Sequence, residues 1–253
     1  MEHIKFEEVL KENNKKHILY LGHNYYKEIR KVDLKDSSAI IITGETGSGK
    51  SILVDQIVCQ LIKNNTSLDM EFYFIDSSGV ELNLYAESRY AKDSALRDNR
   101  KAIEIIGKVL REMDYRKDYV RSKGYLTVDE YNESSKDKIS DIVLVIDDND
   151  RFILNEDISK QLTALIDGGE ETNIYLICAF SNTDNYFFKS NKNQYSPVLI
   201  SFDMSDSEHS GYINIPGAED LNIGKFYIIE DEKKKEYYNF DFEDKIIVDI
   251  LNK

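Results

Sequence analysis

The residues Gly44-Glu45-Thr46-Gly47-Ser48-Gly49-Lys50-Ser51 fit the spacing G-x-x-x-x-G-K-[ST] of a phosphate-binding loop. Glycines let the backbone turn tightly, so that successive N–H groups face inward onto β- and γ-phosphate oxygens. A helix beginning at the end of the loop adds the partial positive charge of its N-terminus. Lys50 supplies a mobile cation to the same phosphates, and the Ser51 hydroxyl can ligate Mg²⁺. Such a loop needs a second acid for the metal, and Ile142-Val-Leu-Val-Ile-Asp147-Asp148 offers one at the end of an apolar run. Asp147 would hold the Mg²⁺ shell through water, and Asp148 is placed to orient or deprotonate an attacking water. The plainer alternative is that both aspartates begin a turn and cap the following helix.

These residues need a buried strand before the loop, a helix after it and a parallel neighbour ending at Asp147. The pattern supplies all three. Ser38-Ala-Ile-Ile-Ile-Thr43 is a continuous apolar run, as a parallel strand covered on both faces requires. Further strands are expected at Met70–Asp76, Asp141–Asp147, Asn173–Phe180, Val198–Phe202 and Lys225–Ile229. Helices are expected at about 50–63, 98–123 and 151–167, the second with an apolar stripe of Ile103, Ile106, Leu110 and Met113. Strands separated by helices of this length argue an α/β fold, a mostly parallel sheet with right-handed crossovers. His17–Leu21 and Glu28–Leu34 read as a short N-terminal hairpin extension. Residues 1–16 read as a linker or N-terminal helix, and residues 17–253 as one domain.

Composition narrows the function classes. The chain has 253 residues, with 33 Lys plus Arg against 47 Asp plus Glu, a formal charge of −14. That balance disfavours loose wrapping of nucleic acid. Lys233-Lys-Lys235, flanked by acids, reads as a solvated hairpin. Cys59 and Cys178 are too few for a disulfide scaffold and read as small core residues in a reducing compartment. No apolar run approaches the ~18 residues of a membrane span, and no signal peptide is visible. His3, His17, His23 and His209 show no metal spacing and read as surface or strand-edge residues. Arg97, Arg100 and Arg151 could each serve a neighbouring subunit's phosphates or form a surface ion pair. Clustered tyrosines at Tyr25-Tyr26, Tyr115, Tyr119 and Tyr237-Tyr238 fit a protein-binding surface or half-buried packing.

From about residue 17 onward the chain resembles the FtsK/SpoIIIE (FtsK–HerA) motor ATPases. The phosphate loop is similar to that family's Gly-x-Thr-Gly-Ser-Gly-Lys-Ser form. Phe74-Ile-Asp76-Ser-Ser-Gly79-Val-Glu-Leu82 resembles its Ile-Asp-Pro-Lys-Gly-x-Glu-Leu strand and turn. Glu112-Met-Asp-Tyr-Arg116 with Tyr131-Asn132 is similar to its Glu-Met-x-x-Arg helix, and Gly217-Ala-Glu-Asp-Leu221 to its Gly-Ala-Glu-x-Leu ending. The resemblance implies a RecA-like P-loop NTPase fold, ATP with Mg²⁺, and neighbouring ATPase domains in a ring or tandem array. Three departures bear on chemistry. Asp148 stands where the family usually has Glu, and a carboxylate one methylene shorter withdraws its oxygen by ~1 Å, enough to cost about a hundredfold in rate. Ala179-Phe180-Ser181 stands for an Ala-Thr-Gln sensor, and Ser77-Ser78 for Pro-Lys. An intact Walker A loop beside an altered Walker B pair and sensor implies ATP binding with slow turnover.

Within the family the acidic balance and the acidic, aromatic stretch Glu236–Asp244 resemble the C-terminal ATPase domain of type VII secretion coupling proteins of the EssC kind. That branch implies secreted protein substrates as partners, little role for nucleic acid, and a cytoplasmic domain whose membrane anchor and preceding copies lie upstream. A DNA translocase motor, or a catalytically inactive docking module, is the alternative.

Overall fold

The computed structural model describes residues 3–148, 155–181, 198–204, 215–230 and 233–252. The run before the glycine loop forms β3 (Ala39–Thr43), buried at every position. On its two sides lie β7 (Ile174–Phe180) and β8 (Val198–Ser201), both parallel to it. Beyond β7 come β6 (Asp141–Asp148), β4 (Met70–Asp76) and β5 (Ala91–Leu96), again parallel. On the other flank an antiparallel wing extends from β8 through β9 (Lys225–Glu230) and β10 (Lys233–Tyr238) to the hairpin β1 (Ile18–His23) and β2 (Ile29–Asp33). The described strands thus form one sheet in the order β2-β1-β10-β9-β8-β3-β7-β6-β4-β5.

Both faces of the sheet are covered, which is why its central strands read as unbroken apolar runs rather than as alternation. Ile40 and Ile42 point into a core that includes Phe6 and Val9 of α1 (Phe6–Glu12), Leu53 and Ile57 of α2 (Lys50–Asn64), and Ile246 of α7 (Lys245–Leu251). Ile41, between them, points into the opposite core with α4 (Asn99–Ser122) and α6 (Glu156–Thr172). Short helices α3 (Asn83–Ala86) and α5 (Val128–Ser134) complete the described α-helices, and one 3-10 turn spans Ala218–Asp220.

Several sequence expectations shift. The buried stripe of α4 is Ala102, Ile105, Ile106, Val109, Met113, Arg116 and Val120. Ile103 is 43% exposed, so the true stripe is rotated from the one expected. Its polar member, Arg116, is buried because it donates to Glu112 Oε1 and to the last-turn carbonyl of Thr172 on α6, both at 2.9 Å. Helix α6 runs to Thr172 and ends where Asn173 turns left-handed at φ 53°; the start expected at 151 lies outside the described residues. Strands β5 and β10 escaped the pattern reading because they lie toward the sheet's edges and carry charge: Lys92 and Asp93 in β5, Lys233 to Lys235 in β10.

The acidic, aromatic stretch is no loose tail. Tyr237, Asn239 and Phe240 are buried, and Phe240 stacks on Phe6. His23 is fully buried against Tyr238 rather than at the surface, and burial lowers its pKa. His17 pairs with Asp141 at 2.6 Å. Cys59 and Cys178 are buried free thiols. No described helix is long and apolar enough to cross a membrane.

Candidate functional site

Strands β3, β6 and β4 all run in one direction, so their C-terminal ends open onto one side of the sheet, where α/β folds bind ligands. The glycine loop leaves β3 there. Gly49 takes φ 113°, and a Cβ on it would meet Asn239 Nδ2, Phe202 Cε1 and Gly224 Cα at 3.1–3.3 Å. At Gly47, with φ 83°, a Cβ would meet nothing within 4 Å, so this part of the loop faces open space. From behind, the antiparallel wing braces the loop: Gly224 N donates to Ser48 O at 2.9 Å and Asn239 Nδ2 to Gly49 O at 3.0 Å. Asn239 was not legible as a site residue, since nothing local marks it.

Lys50 opens α2 with its side chain folded over the loop, donating to Gly44 O at 2.6 Å and Glu45 O at 2.8 Å. Next to it the Ser51 hydroxyl donates to Asp147 Oδ2 at 3.0 Å. The two sequence signals, 96 positions apart, therefore meet. Burial pushes the Asp147 carboxyl up to about 7; Glu81 and Asp76 push the same way, while the Ser51 hydroxyl and Lys50 oppose. A cleft of about 410 Å³ is lined by Thr46, Gly47, Gly49, Lys50, Ser51, Asp147 and, from the turn after β4, Ser77, Ser78 and Glu81. Ile52 and Ser181 complete its wall.

The two residues at the altered sensor position part company. Phe180 is fully buried in the core of the α4 and α6 face, so it does not enter the cleft, whereas the next residue, Ser181, lines it. Phe180 is the last residue of β7 and Ser181 the first beyond it, where the chain leaves the sheet at the cleft. Asp148 ends β6 opposite Phe180 in the ladder, but its side chain lies outside the described residues, as does Arg151. Arg97 is a brace: its guanidinium Nε donates to Ser78 O. One further acid adjoins the site. Asp55, one helical turn beyond Ser51, accepts from the Tyr85 hydroxyl at 2.9 Å. Burial pushes its carboxyl up to about 8, with the charges of Glu81, Asp147 and Asp244 adding and the Tyr85 hydroxyl opposing.

The donor set fits a magnesium nucleotide. A loop with its open face at Gly47, a buried lysine and a serine–aspartate pair supply amides, a cation and two hard oxygen ligands. Among the described residues no three His, Cys, Asp or Glu side chains form a metal cage. Magnesium at Ser51 and Asp147 would thus complete its shell with water and phosphate oxygens.

The FtsK/SpoIIIE family model matches residues 6–201. The chain belongs to the FtsK/SpoIIIE family. Among curated relatives, the DNA translocase FtsK of Chlamydia trachomatis is 28% identical over 205 residues, covering 75% of this chain and 26% of that protein. The chain therefore spans about a quarter of that relative's length. Among solved structures, EssC (ATPases 2 and 3) from Geobacillus thermodenitrificans superposes with a TM-score of 0.78 at 19% identity, covering 94% of this chain and 48% of the other. The cytoplasmic domain of the type VII secretion ATPase EccC from Thermomonospora curvata gives 0.83 at 13% identity, covering 100% and 35%. The fold is accordingly the RecA-like P-loop NTPase fold, and the expected resemblance to EssC holds.

Proposed function

We propose that this chain is an ATP-binding, slowly hydrolysing domain of a type VII secretion coupling ATPase, linking nucleotide state to the export and docking of protein substrates. The contact of Ser51 with Asp147 beside Lys50 carries the nucleotide part of this reading. Lys50 neutralises the β- and γ-phosphates, the amides of residues 44–49 cradle them, and Ser51 with Asp147 hold Mg²⁺. When bound, Mg²⁺ supplies charge neutralisation between those phosphates. Asp148, next in sequence to Asp147, is assigned the orienting of the attacking water in this reading. The export reading is supported by the −14 charge, and by the β1–β2 hairpin, whose turn exposes Tyr25 and Tyr26 at 70% and 79%. Aromatic side chains of this kind are favoured in protein interfaces. Partners in this reading are secreted proteins and neighbouring ATPase domains, with the work done on the cytoplasmic side.

A second reading, a DNA-translocating motor domain, is favoured by the curated relatives, which are named DNA translocases at 24% to 32% identity. Calorimetric titration of Mg·ATP into wild type and Lys50→Ala tests the shared foundation. Saturable binding by wild type, weakened at least ~10-fold in the variant, is expected; indistinguishable heats refute it. Titrating duplex DNA across salt separates the two branches, since tight binding with a steep salt slope belongs to the motor reading.

A further inference from the structure

Strand β4 runs parallel beside β6 with Asp76 opposite Asp147, so the turn leaving β4 emerges next to the magnesium-side acid. Asp76 is fully buried. Its Oδ1 accepts from Ser78 N at 2.8 Å, Ser78 Oγ at 2.7 Å and Gly79 N at 2.8 Å, and its Oδ2 accepts from Leu82 N at 3.0 Å. Ser77 N donates to Asp147 O at 3.2 Å, which ties the turn to β6 itself. Arg97 holds Ser78 O from outside, and Gly79 supplies the φ of 66° that the turn needs. Leu82 is buried, so the backbone is anchored on both sides of Glu81. Glu81, exposed in this turn, lines the cleft on the wall shared with Lys50, Ser51 and Asp147. Among the described residues Glu81 makes no hydrogen bond or ion pair, although Asp76 beside it is saturated.

We propose that Glu81 is a catalytic residue of this cleft, accepting a proton from the water that attacks the γ-phosphate. The proposal rests on the nucleotide reading above and deepens it. Asp76 thereby fixes the backbone from which Glu81 reaches the cleft, and an acid–base group works only at hydrogen-bond reach. In the step, the water oxygen forms a bond to the γ-phosphorus while the bond from that phosphorus to the bridging oxygen breaks, and its electron pair leaves with ADP. One water proton passes to the Glu81 carboxylate and then to solvent; the other stays on the released phosphate. ATP and water thus yield ADP, hydrogen phosphate and a proton.

The test compares wild type, Glu81→Gln, Glu81→Asp and Asp148→Asn by calorimetric Mg·ATP binding and by steady-state phosphate release over a protein-concentration series. Glu81→Gln should bind Mg·ATP within about threefold of wild type while turnover falls ~100-fold or more. Glu81→Asp should fall in between, and Asp148→Asn should lose less than Glu81→Gln. Wild-type turnover in Glu81→Gln overturns the proposal. So does a loss of affinity with turnover unchanged, or a wild type that binds Mg·ATP and releases no phosphate. Failure of wild type to bind at all refutes the nucleotide reading instead.

Discussion

Replacing Asp55 by asparagine should make the protein more stable, and only above about pH 4. The folded chain holds this partly buried carboxyl at about 8, well above the 3.8 of an unperturbed aspartate, because burial disfavours its charge. The sign follows from proton counting. Between those two values the unfolded chain has lost a proton that the folded chain keeps, so stability declines as pH rises, by about 1.4 kcal/mol per pH unit. The contribution is intact below the unfolded value and is lost progressively up to the folded one. At pH 7 the accumulated penalty has a ceiling of about 4 kcal/mol, and partial contact with water brings the expected gain to about 1–3 kcal/mol. Asparagine keeps the volume and an acceptor for the Tyr85 hydroxyl, so little else changes. Urea unfolding followed by circular dichroism, across about pH 5 to 8, reads the effect directly. The wild-type and variant curves should converge at the acid end and diverge toward neutrality. Parallel curves would refute the reasoning, because they would mean that Asp55 ionises in the folded state at its ordinary value.

Two further outcomes test the frame around the loop. Asn239→Asp keeps shape but removes the amide that donates to Gly49 O; it should weaken Mg·ATP binding ~10-fold and destabilise by about 1–3 kcal/mol, read by calorimetry and thermal unfolding. Phe6→Ala removes a fully buried ring between Phe240 and Phe242, which should cost about 3–5 kcal/mol in denaturant unfolding. A negligible loss would make the first helix a dispensable linker rather than part of the folded unit.

Much of the fold was legible because its decisive parts are local. The glycine spacing at 44–49 dictates a tight turn whatever surrounds it. The run from Ala39 to Thr43 reads as a doubly covered strand because both of its faces are in fact buried. Asp147 could be paired with the loop because a strand-end acid is what a magnesium phosphate site lacks. The family resemblance followed from those same segments in order.

What the sequence alone determined, then, was the chemistry: a phosphate loop, its lysine and serine, a strand-end aspartate, and the alternation of strand and helix around them. Tertiary structure alone decided which distant groups meet that chemistry. Strand pairing set Asp76 against Asp147 and carried Glu81 to the cleft. The antiparallel wing, including the charged strand β10 that no periodicity marks, brought Asn239 behind Gly49 across 190 positions. The end of β7 left Phe180 in the core and Ser181 at the cleft. Local patterns record burial and turn geometry; contacts between remote strands depend on register and packing, which no single stretch of residues encodes.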